Sequence, residues 1–88
     1  MSNDTAWADL RRHIQENRVN FLTVELDLAG TLCERAKHHP NPQRRAEILG
    51  KVEQAIETVR RFADKIEDPA TRKVILDRAD DVECRVEQ

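Results

Sequence analysis

The chain has 88 residues, 39% of them hydrophobic, 36% charged and 3% aromatic, and its 15 basic and 17 acidic side chains leave a net charge of −2. A chain this short forms one domain and buries only about 60–65% of the surface its unfolded form exposes, so self-association would add to a thin margin. The slightly acidic balance argues against an electrostatic grip on nucleic acid, and no apolar run approaches the roughly 18 residues that span a bilayer.

Ser2-Asn3-Asp4-Thr5 offers several helix N-caps, of which Asp4 and Thr5 are favoured, leaving residues 1–4 as a flexible N-terminus. The first helix then runs to Lys37 or His38. Trp7, Leu10, Ile14, Phe21, Val24, Leu28 and Leu32 form one apolar stripe, and Leu22, Leu26, Ala29, Cys33 and Ala36 form a second beside it. Together the two cover roughly 200° of the second half of the helix, more than one neighbour can bury. Two packed neighbours are therefore expected. Asn17 and Asn20 interrupt the pattern and mark the place where this helix could kink.

His38-His39-Pro40-Asn41-Pro42 stops it. Each proline biases the residue before it away from the α region, so the chain must turn and restart. The second helix is expected from Asn41 or Gln43 to Glu67, with Ile48, Val52, Ala55, Val59, Phe62 and Ile66 at the alternating four-and-three spacing of packed helices. Leu49, Ile56 and Ala63 widen that stripe. Gly50 inside a helix costs about 1 kcal/mol against alanine, which suggests a close crossing with the first helix. Glu47–Lys51 and Glu57–Arg61 are well-ordered four-apart pairs on the wet side. Asp68-Pro69 suits an N-cap followed by the first helical position, and opens a third helix that reaches Val86 with Ile75, Ala79, Val82 and Val86 as its core.

Helices joined by short turns pack as antiparallel neighbours. The predicted architecture is an all-α, antiparallel three-helix bundle in a single domain, residues 5–87. Its third helix runs parallel to the first and fills the first helix's second stripe. At 1.5 Å per residue the first helix is roughly 50 Å long and the second roughly 37 Å, so Trp7, Leu10 and Ile14 can project as a possible interaction surface. The alternative is that Trp7 folds over the Glu67–Pro69 turn and closes the end of the bundle.

From Leu28 to Pro69 the chain carries Leu28-Ala29-Gly30, Ala36, then Ala55, Val59 and Phe62 before a closing proline. That order of small and large residues resembles the helix-turn-helix unit of tetratricopeptide repeats, in a single copy. It also looks like a group of short, uncharacterised bacterial helical proteins with a comparable hairpin and a third helix. The resemblance implies a binding or scaffolding role, and brings no catalytic residues with it.

Glu25 stands inside the apolar arc of the first helix, four residues after Phe21 and three before Leu28. A carboxylate there must be paired, protonated or at a rim. The antiparallel layout puts Arg60 within reach, with Arg78 of the third helix as the other possible partner, and a register-fixing ion pair is expected. His38 and His39, near Glu34 and Cys33, lack the spacing of a zinc motif and suit the C-terminal end of a helix dipole. His13, four after Asp9, reads as an exposed ion-pair partner. Cys33 and Cys84 have no Cys-x-x-Cys spacing and read as two buried free thiols in a reducing compartment.

Three rings without a tyrosine give no stacking platform for single-stranded nucleic acid. The only serine is Ser2, the two glycines stand isolated within helices, and no nucleophile has a base placed beside it. The expectation is a cytoplasmic, non-catalytic protein–protein interaction or scaffold module that binds no cofactor, nucleic acid or membrane and takes a second copy of itself as partner. The alternative is a small-ligand or metal-binding bundle, with its site around Glu25 or His38-His39.

Overall fold

The computed structural model describes residues 3–87, with side chains from Thr5 onward. It contains three helices, α1 (Asn3–His38), α2 (Pro42–Ala63) and α3 (Pro69–Glu87), each packed against the other two, and no strand among the described residues. The all-α three-helix bundle is therefore the fold. Its body is elongated, 62 × 18 × 15 Å.

Local chemistry accounts for the ends. Asn41 adopts an extended conformation, and its side-chain oxygen accepts from the backbone N–H groups of Gln43 (2.9 Å) and Arg44 (3.4 Å), while Pro42 occupies the first helical position. Asp68 caps α3 in the same way, accepting from the Thr71 N–H at 3.1 Å. At the other end of α1 the structure departs from expectation. Asn3, Asp4 and Thr5 are already helical, so neither Asp4 nor Thr5 is the cap, and Met1 and Ser2 lie outside the described residues. α1 runs through Asn17–Asn20 without a break. The second helix ends at Ala63 rather than Glu67, closing with Lys65 N–H to Phe62 and Ile66 N–H to Ala63 bonds that tuck Ile66 under the bundle.

The core takes one residue series from each element. Leu22, Leu26, Ala29 and Cys33 of α1 meet Val52, Ile56, Val59 and Ala63 of α2, with Ile75, Ala79 and Val82 of α3 filling the trough between them. No polar or charged side chain is buried among the described residues. The first fully buried residue of α1 is Leu22, and of the residues before it Val19 packs, half-buried, against this interior.

α3 also reaches α1 through charge. Arg78 donates to Asp27 at 2.6 Å, and the Arg85 guanidinium lies 3.8 Å from where a Cβ on Gly30 would stand. This docking decides the fate of the two stripes on α1. α3 leans on the Asp27–Gly30 side and shares the Leu22–Cys33 stripe with α2, instead of claiming the Phe21–Leu28 stripe for itself. The expectation that two neighbours would cover both stripes is corrected: Phe21, Val24 and Leu28 are exposed. Gly50 is corrected too, because it is exposed and a Cβ there would meet nothing within 4 Å, so it marks no close crossing.

Candidate interaction face of the first helix

α1 has 36 residues and spans roughly 54 Å, whereas the 22 residues of α2 span roughly 33 Å. The α2–α3 turn meets α1 near Arg11 to Arg18. Gln15 donates to the Lys65 carbonyl (3.4 Å) and accepts from the Glu67 N–H (3.0 Å), Arg18 donates to the same carbonyl at 3.0 Å, and Arg11 pairs with Glu67 at 2.9 Å. These polar side chains clasp a turn whose carbonyls would otherwise face solvent unpaired. The sequence offered no sign of this clasp, since Gln15 and Arg18 sit on what reads as an ordinary wet face.

Beyond the clasp the first turns of α1 stand free. Trp7 is 66% exposed, so it does not fold over the Glu67–Pro69 turn; Arg11 makes that approach instead. Leu10 and Ile14 are also exposed, as are Phe21, Val24 and Leu28 in the half of the helix that carries the bundle. All six lie between 45% and 66% exposure. Their positions, 7, 10, 14, 21, 24 and 28, follow the three-and-four alternation of a coiled-coil seam, with Asn17 in the one vacant place. Around Phe21 to Cys33 this seam points roughly 140° away from the buried stripe at 100° per residue. α1 is thus apolar on two opposed sides, one filled and one open. The open strip runs roughly 32 Å from Trp7 to Leu28. Val74, the large exposed apolar residue of α3, lies one turn before Arg78.

The residues flanking the strip are sorted by charge. On its two shoulders stand Arg11, His13 and Arg18 in the N-terminal half, and Glu25 and Asp27 in the C-terminal half. Glu25 is half-buried and forms no ion pair among the described residues, contrary to the expected bond with Arg60 or Arg78. Both arginines are engaged elsewhere. Arg60 pairs with Asp80 and Glu83 across the α2–α3 contact, and Arg78 with Asp27. The reason is again where α3 docks, one face further round α1 than Glu25.

The other polar residues singled out from sequence take structural places. His39 Nδ1 accepts the Asn41 N–H at 3.1 Å, tying the proline turn. No group of three or more His, Cys, Asp and Glu among the described residues is arranged to hold a metal ion. Asp9 pairs with Arg12 at 3.7 Å rather than with His13, and Glu47 with Arg44 rather than Lys51, while Glu57–Arg61 forms at 3.1 Å. Cys33 is buried, and burial pushes its thiol pKa up; Cys84, expected to be buried as well, is exposed. A groove of about 790 Å³ lies beside the clasp, lined by Arg12, Gln15, Glu16, Val19, Ile66 and Thr71. No described helix is long and apolar enough to cross a membrane.

No protein-family model matches this sequence, and neither a curated protein nor a solved structure matches it.

Proposed function

We propose that this protein is a non-catalytic interaction or scaffold module that associates with itself through the open face of α1. The observation that carries this reading is the strip of six apolar side chains, Trp7, Leu10, Ile14, Phe21, Val24 and Leu28, at coiled-coil spacing on a helix already packed on its opposite side. Single exposed leucines are ordinary on a protein surface. A contiguous strip roughly 32 Å long on a domain this small marks a contact surface.

Chain economy supports the same reading. The N-terminal third of α1 makes few contacts with the rest of its own chain, yet it holds the only tryptophan and a leucine and isoleucine in phase with it. Aromatic anchors of this kind carry much of the energy of protein interfaces. Sedimentation of the chain over a wide concentration range tests the reading: the mass should rise from the 10.2 kDa of one chain as concentration increases. A single 10.2 kDa species at millimolar concentration would remove self-association, and the open face would then belong to a different protein.

A further inference from the structure

We infer that the occupant of the open α1 face is a second copy of this chain lying antiparallel, with the two-fold axis near residue 19. This rests on the self-association reading and adds to it the orientation and register of the pair.

Charge sets the orientation. Along the strip the shoulders carry Arg11 and Arg18 in the N-terminal half and Glu25 and Asp27 in the C-terminal half. Side by side in parallel, two such helices would set basic half on basic half and acidic on acidic. Antiparallel, each basic half meets the other copy's acidic half, and shoulder residues of one kind face their own kind of position across the seam. Glu25 gives this weight because it has no ion pair within its own chain, although it is half-buried beside apolar neighbours. In the antiparallel pair, Arg11 of one copy, which also pairs with Glu67 of its own chain, faces Glu25 of the other, and His13 faces Asp27, which its own Arg78 already holds. Arg18, nearest the axis, is turned to the Lys65 carbonyl of its own chain at 3.0 Å and so is held away from its symmetry mate.

Apolar contacts and charge together set the register. An axis near residue 19 brings Leu10 opposite Leu28 of the second copy and Ile14 opposite Val24, with Asn17 beside Phe21 at the centre and Trp7 opposite Thr31 at each end. A shift of one heptad toward the N-terminus sets Arg11 of one copy against Arg18 of the other, like charge on like. A shift toward the C-terminus sets Leu10 against Arg35. The free N-terminal turns of each copy thereby cover the face that the other copy's bundle leaves bare. The buried stripe by which α1 holds α2 and α3 lies roughly 140° round the helix from the strip in both copies. A straight helix drifts about 20° per heptad from such a strip, so the pair should coil left-handed.

Disulfide trapping tests this. In a Cys84→Ser background, with Cys33 buried, Leu10→Cys and Leu28→Cys are made as separate proteins at exposed positions that leave the monomer core untouched. Mixed under mild oxidation, they should give a cross-linked dimer containing one of each, while neither alone cross-links. Cross-linking of each variant with itself would mean a parallel pair and would overturn the orientation while keeping self-association. Absence of cross-links in a mixture that still sediments as a dimer would place the interface elsewhere and overturn the inference. Monomer in every sedimentation run would fail the self-association reading itself. Salt gives an independent readout: dimer dissociation should strengthen several-fold between about 50 and 500 mM salt, as attraction between opposite charges is screened. Weaker dissociation at high salt would instead indicate like charges facing each other.

Discussion

Arg60 on α2 reaches Glu83 on α3, and its guanidinium also donates to Asp80 at 2.7 Å. The hydrogen bond from Arg60 holds the Glu83 carboxyl below its ordinary range, and Arg60 itself is raised further above its already high value, chiefly by Glu83. A carboxylate whose folded pKa is depressed contributes stability that is complete above its unfolded pKa and is lost as pH falls toward the folded one. Asp68 has the same sign, through the Thr71 hydroxyl and backbone N–H. Thermal midpoints should therefore be flat near neutrality and fall through the acid range, and Glu83→Gln should lower the midpoint at pH 7 while flattening that fall. An unchanged acid slope in Glu83→Gln would show that the cross-helix pair contributes nothing to it.

Gly50 sits in mid-helix with open space where a Cβ would stand. Gly50→Ala should stabilise the fold by about 0.5–1 kcal/mol, by the difference in helix propensity and the smaller loss of backbone freedom on folding. Gly30→Ala, whose Cβ would meet the flexible end of Arg85 at an ordinary 3.8 Å, should gain a similar amount. Urea denaturation measures both. A loss of stability at Gly50 would mean that something covers it in solution.

The two cysteines should differ in reactivity as they differ in exposure. A thiol reagent at neutral pH should modify Cys84 within the mixing time of an ordinary assay. Cys33, buried and with its thiol pKa pushed up by that burial, should react only as the protein unfolds. The rate at Cys33 then reports opening of the α1–α2 core, and its falling in step with denaturant-free stability is the check.

Much of the fold was legible because its signals are local. Asn41-Pro42 and Asp68-Pro69 carry caps and first-turn prolines whose geometry depends on a few neighbouring atoms, and the four-and-three spacing of Val52, Ala55 and Val59 needs only a helix to become a face. Trp7, Leu10 and Ile14 could be picked out as a surface because α1 outruns α2. The rest turns on what covers what. Periodicity shows that Phe21, Val24 and Leu28 share a side, but whether that side is filled depends on where α3 lands, and Ile75, Ala79 and Val82 pack instead with the Leu22–Cys33 stripe. The same unseen docking angle sent Arg60 to Glu83 and left Glu25 unpaired. A signal was present: two seams, each in its own heptad phase and far apart around the helix, suit two separate contacts rather than one wide interior.

Phe21 and Leu22 are consecutive residues on opposite sides of α1, 51% and 0% exposed, and their substitution should separate folding from assembly. Leu22→Ala removes a fully buried side chain from the contact with α2 and should cost about 2–5 kcal/mol of monomer stability, the upper part of that range applying if the surrounding residues do not close the cavity. Phe21→Ala changes a surface residue of the monomer, so its stability in dilute solution should stay within about 0.5 kcal/mol of the parent. In the assembled pair Phe21 is central and appears once from each copy. Its loss should weaken dimerisation by at least about tenfold, as truncation of a buried aromatic anchor does at other interfaces. Chemical denaturation at micromolar concentration and sedimentation at higher concentration measure the two effects separately. Equal dimer affinity for the parent and Phe21→Ala would take the seam out of the interface, whatever Leu22→Ala does to the fold.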